Sequence, residues 1–202
     1  MGFAEITLQL AAFRLLALLI LVGVQGAAIA GVAVLLGDRG PKYDGRLTAM
    51  PTGHVDGLGL VATILFGMGW GKPVDVDAGE MRVGRAGLVL VALGGILSLL
   101  AVAAVLNALV LPALTGLPHT AGLTIAAFLR SASGIALWFA LFNLLPIPPL
   151  TGGMILGALG VKVPKRAMWV LGALLLAALV TGVVERMLAP AHAALEAALL
   201  GG

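Results

Sequence analysis

The sequence predicts an all-α integral membrane protein of about four transmembrane helices, with one further apolar segment too short to cross the bilayer. Three observations carry this. The 202 residues are 61% hydrophobic and 10% charged, whereas soluble globular chains are nearer half apolar and a quarter charged. Mean hydropathy is +1.14. The apolar residues are also gathered into runs that reach the roughly 20 residues a helix needs to cross a membrane.

The first run is Leu10–Leu36. Arg14 precedes an apolar stretch and Ala28-Ile29-Ala30 resembles a signal cleavage site, but the run continues well past the length of a signal core. It is therefore expected to be a retained span. The second, third and fourth spans are expected over Ala86–Leu114, Ala121–Leu145 and Ala167–Val184. Between the first two, the Gly-rich stretch Leu58–Trp70 is too short to cross and is read as a re-entrant or interfacial element. Pro146, Pro148 and Pro149 break the third span, and the short apolar piece Thr151–Gly160 is expected to be buried between helices, where its freed backbone can be satisfied. His192–Leu200 is expected to form a short surface helix. Residues 1–202 are read as a single integral membrane domain.

Arg39, Lys42, Arg46, Lys72, Arg82 and Arg85 fall between spans one and two, and Lys162, Lys165 and Arg166 between spans three and four. The remaining loop holds only His119. The positive-inside rule then puts the two basic loops in the cytoplasm and both termini on the far side. The net charge of +3 is accounted for by these flanking residues, so nucleic acid is excluded as a partner. Cysteine is absent, which excludes disulfides and thiolate metal sites.

Two stretches carry a family pattern. From Gly37 the chain reads GDRGPKYDGRLTAMPTGHVDGLG and continues through LFGMGWGKPVDVD; Phe142–Gly153 reads FNLLPIPPLTGG. In order and spacing they resemble the compact bacterial branch of the site-2 protease family, the intramembrane zinc metalloproteases, over roughly residues 8–160. The resemblance implies a site-2-protease-like helical core. It also implies a His-Glu-x-x-His motif a fixed count before Gly37-Asp38, whose two imidazoles bind zinc beside a glutamate base, and a distant Asp in Leu-Asp-Gly as third ligand. Here the first motif is occupied by Gln25, Gly26, Ala27, Ala28 and Ile29, and Thr151 stands where the Asp would be. A further family element, Ala-Gly-Pro-x-x-Asn, is matched by GGILSL, with Ile96 and Leu99 at its Pro and Asn.

Gln25, Gly26, Ile29 and Thr151 are therefore read as degenerate catalytic positions, with no metal and no cofactor expected. Candidate binding residues are His54 and Asp56, which otherwise hydrogen-bond loop backbone, and Asn143, whose amide would otherwise serve carbonyls freed by Pro146. Arg130 lies about ten residues into the third span, where a charge marks a functional site or snorkels; Arg14 is expected to snorkel. Gly67–Gly71 and Gly152-Gly153 are expected at close backbone packing. The expectation is an inactive relative, not an enzyme, that acts as a binding or scaffold subunit for transmembrane helices of other proteins. Its setting would be a bacterial inner-membrane energy-transducing complex. An active zinc protease with non-standard ligands is the alternative, and a transport role is weak because the spans hold almost no ionisable residues.

Overall fold

The computed structural model describes residues 7–161 and 163–201. Lys162, one of the loop cations, lies outside the described residues. The order is α1 (Leu8–Leu36), α2 (Gly40–Tyr43), a 3-10 turn (Pro51–Gly53), α3 (Gly57–Phe66), α4 (Ala86–Ala108), α5 (Val110–Gly116), α6 (His119–Leu144), a 3-10 turn (Thr151–Gly153), α7 (Met154–Ala158), α8 (Lys165–Val180) and α9 (Val183–Leu200). Among the described residues there is no strand, only an isolated bridge between Val55 and Gly71. The chain is all-α. Three helical stretches, Leu8–Leu36, Ala86–Gly116 and His119–Leu144, are long and apolar enough to cross a membrane.

Small side chains let these three approach closely. Ala17, Ala103, Ala132 and Ala136 are fully buried in the seam shared by α1, α4 and α6, the packing that drives helix association where lipid is as apolar as Leu. One polar contact crosses it: Ser133 Oγ donates to the Ala103 carbonyl at 2.8 Å.

The stretch read as non-crossing is a hairpin. α3 enters with Asp56 as its N-cap, whose carboxylate accepts from Gly59 N–H at 2.9 Å. It stops at Gly67, which adopts the left-handed conformation at φ 72°. The chain then returns extended, so that Val55 and Gly71 lie side by side. Both ends of the excursion are on one side, which is re-entrant geometry. Gly59 and Gly69 allow the close return: a Cβ at Gly59 would overlap the Trp70 carbonyl, and one at Gly69 the Thr63 hydroxyl. The close packing expected of the Gly67–Gly71 stretch is observed at Gly69.

Arg14 corrects one expectation. It does not snorkel; it is 3% exposed, and its guanidinium donates to the carbonyls of Ile64 and Leu65 at 2.7 and 2.8 Å. The last carbonyls of a helix have no intrahelical donor, and α1 supplies one.

The C-terminal region differs from expectation too. α8 ends at Val180, the axis turns by 76°, and α9 runs over 18 residues instead of the expected nine-residue tail. Gly182, at φ 69°, makes the turn; α9 packs on α6 and α4, and its Val184 and Leu188 join Leu141 and Phe142 of α6 in one apolar cluster. Counting the bent pair as one span gives four crossings. Of Thr151–Gly160, only Thr151 and Gly152 are buried; Leu159 is exposed.

Candidate functional site

The residues of the two motif stretches meet at one cleft. α1 presents Gln25, Gly26 and Ile29 on one face, while the proline-rich break after α6 turns Thr151 back toward them. Gln25 Nε2 donates to Thr151 Oγ1 at 2.8 Å, across 126 positions of sequence. Thr151 Oγ1 in turn donates to Asn143 Oδ1 at 3.4 Å. Asn143 Nδ2 donates to the carbonyls of Gly69 and Phe139, both at 2.9 Å. The amide thus ties α6 to the returning arm of the hairpin. It does not serve the carbonyl left by Pro146, as expected from sequence; that carbonyl, of Phe142, takes the Leu145 N–H at 3.2 Å. Gln25, Asn143 and Thr151 are all buried, and buried polar groups are stable only when paired in this way.

Gly152 permits the turn that delivers Thr151, since a Cβ there would strike the carbonyls of Leu144 and Leu145. Ile29 packs against Gly95, where a Cβ would lie 2.7 Å from its Cγ1. Ile96 and Leu99 fill the adjoining seam and are 7% and 0% exposed.

His54 takes the remaining space. It is 1% exposed, and its imidazole lies over Gly26 so closely that any Cβ at position 26 would overlap the ring. Nε2 donates to the Thr48 carbonyl at 2.8 Å. That bond fixes the tautomer and leaves Nδ1 as an acceptor, 3.4 Å from an Arg46 guanidinium nitrogen. Burial pushes the His54 pKa below its ordinary value and the Arg46 charge adds to this, against the bond to Thr48. The ring is neutral near neutral pH. Asp56 is not beside it in the cleft but caps α3.

Two residues that the sequence reading passed over hold this arrangement. Arg46, from the Gly-Arg-Leu element, donates to the carbonyls of Gly53 and Pro73, pinning the loop to the extended arm. Asp38, from Gly-Asp, is 1% exposed; its two oxygens accept from Gly40 and Asp77 N–H, both at 2.8 Å. Gly37 precedes it at φ 122°, a conformation that favours glycine. Both residues stood in the motif strings; a polar residue spent on loop backbone has no signature of its own.

The cleft has a volume of about 300 Å³. One wall is the extended segment Gly71–Val76, the opposite one Pro148–Leu150, and Val22, Ile29, Leu88 and Met168 make it largely apolar. Among the described residues the N–H groups of Val74 and Val76 have no hydrogen-bond partner.

The chain is 32% identical over 161 residues to the protein named "Putative zinc metalloprotease YwhC" of Bacillus subtilis (strain 168), with 74% of this chain and 70% of the relative covered. The chain belongs to the site-2 protease family. No family model matches it, and neither does any solved structure. Kinship with a protein of that name points toward a protease and overturns the expectation that the chain is not an enzyme. The three positions where this site-2 protease family member would hold zinc do not themselves fit the ion. Gln25 gives its amide N–H to Thr151, Ile29 offers only carbon, and Thr151 is a neutral hydroxyl. Among the described residues no group of three His, Asp or Glu side chains converges elsewhere.

Proposed function

We propose that the chain binds an extended segment of another membrane protein in the cleft, as a binding subunit of a bacterial inner-membrane assembly with both termini periplasmic. The observation that supports this best is the unpaired backbone edge of Val74 and Val76 facing a cavity of about 300 Å³. An extended peptide adds to such an edge through main-chain hydrogen bonds, and alternate side chains drop into the neighbouring apolar pockets. Val22, Ile29 and Met168 would receive them. The orientation follows from the basic residues of the loops around Arg46 and Arg166.

The test places a photoreactive amino acid at Met168, in the cleft, and another at the exposed lipid-side residue Leu97, in native membranes. The expected result is a discrete adduct with a membrane protein from position 168 alone. The mass of the adduct also reads out whether the captured segment is cut, which is the reaction that the relative's name implies. Equal capture from both positions would overturn the reading.

A further inference from the structure

At the opposite end of the bundle, α1, the tip of α3, α6 and α9 enclose a second cavity of about 250 Å³. Its polar lining comes from Arg14, Arg130, Ser131, Trp138, Glu185 and His192. Arg14 is committed to the carbonyls at the tip of α3. Two other groups are not. Among the described residues the exposed Arg130 has neither a hydrogen bond nor an ion pair, and His192 Nε2 is a buried nitrogen with no partner. His192 is 9% exposed and held rigidly: its ring stacks on Trp138 with centroids 4.2 Å apart, and Nδ1 lies 3.6 Å from Glu196. A buried polar atom left unpaired costs about 1–3 kcal/mol, and an unpaired guanidinium lining the same cavity is a ready partner for an anion.

The depth of the cavity follows from helix length. About 20 residues of helix cross the hydrocarbon. Counted from the ends beside the basic loops, that distance reaches Leu16 on α1, from Leu36, and Leu106 on α4, from Ala86. Arg14 lies just beyond Leu16, and Arg130 shares its cavity. Asn107 Nδ2 donates to the Leu200 carbonyl at 3.2 Å, which brings the end of α9 to the same level. Bent 76° from α8, α9 lies across this boundary with Glu185, His192 and Glu196 along it. The cavity therefore opens where the apolar slab gives way to headgroups.

We propose that this cavity binds the phosphodiester headgroup of a membrane phospholipid, with Arg130 and His192 as its ligands. A guanidinium pairs with phosphate oxygens through two parallel donors. His192 donates its Nε2–H to a second phosphate oxygen, with its ring held by the stack on Trp138 and Nδ1 3.6 Å from Glu196.

The full chain is reconstituted into nanodiscs of phosphatidylethanolamine and phosphatidylglycerol, released, and weighed by native mass spectrometry. The expected result is one retained phospholipid per chain. Arg130→Gln should lower retention about tenfold, the loss of one charge-assisted contact, and Arg130→Lys less. Arg130 is exposed, so the fold tolerates both variants. His192→Gln should lower retention as well. Equal retention by wild type and Arg130→Gln would overturn the proposal. Saturable binding of inorganic phosphate alone, with no lipid retained, would assign the cavity to a free anion and overturn it equally.

Discussion

The two cavities of the molecule treat their polar groups in opposite ways. At the cleft, Gln25, Thr151 and Asn143 satisfy one another, and His54 fills the space over Gly26. What remains open there is backbone, at Val74 and Val76. At the far cavity the backbone is closed off, since Arg14 caps α3, and what remains open is side chain: the Arg130 guanidinium and His192 Nε2. An edge of main chain reads the shape of a peptide and tolerates many sequences, whereas an unpaired cation and imidazole read charge. The two ends are thus suited to different classes of ligand, one polymeric and one a headgroup.

The comparison can be broken most severely through Arg14. Replacing it by Leu leaves two carbonyls unpaired in an apolar setting, at about 1–3 kcal/mol each. The expected loss is therefore about 2–6 kcal/mol, measured by reversible unfolding in mixed micelles. A loss within experimental error would show that α3 needs no cap. Next comes Gly26→Ala. Its Cβ would overlap the His54 ring, so the expected loss is about 1–3 kcal/mol, and His54→Ala in the same chain should recover most of it. The overlap also means that installing Gly26→Glu with Gln25→His, Ile29→His and Thr151→Asp will not yield zinc binding unless His54 is removed too. Titration with zinc, with and without His54→Ala, checks this.

Thr151→Val is the next smaller step. It removes the hydroxyl between Gln25 and Asn143, at about 1–2 kcal/mol for the orphaned amides, while phospholipid retention at the far cavity should be unchanged. The pH dependence is weaker still. The folded pKa of His54 lies below its ordinary 6.5, so between that value and the lowered one the unfolded chain binds more protons. Stability should be flat above about pH 6.5 and fall as the pH drops below it. His54→Gln should flatten that part of the profile. Arg130→Gln, at an exposed position, should move stability by no more than about 0.5 kcal/mol, which separates a ligand-binding charge from a structural one.

Much of this architecture was legible in the sequence because hydropathy counts residues well. The ends of α1 and α6 fall within two residues of the expected spans, and the non-crossing hairpin was visible as an apolar run too short to traverse the membrane. The meeting of Gln25, Ile29 and Thr151 was legible through the family motifs. Hydropathy could not separate α8 from α9, because Val183 and Val184 continue the apolar run straight through a turn made by Gly182 alone. Nor does a hydropathy average see partners. Arg14 reads the same whether it reaches the interface or caps a helix 50 positions away. The edge at Val74 and Val76 did leave a trace, since Val-Asp-Val-Asp alternates with the period of a strand. Four residues of that pattern are too few to outweigh the helical setting around them.

The cap that Arg14 places on α3 also fixes an order of events during synthesis. α3 has ten residues, too short to be stable as an isolated helix or to cross the bilayer by itself, and its final carbonyls are open until a donor arrives. That donor lies in α1, which leaves the ribosome first. The hairpin therefore enters a membrane that already holds its partner, and an α3 made without α1 would stay at the surface. Expressing residues 38–201 alone and asking whether a cysteine at Phe66 reacts with a water-soluble thiol reagent would show the hairpin stranded; co-expression of residues 1–37 as a separate chain should draw it back in.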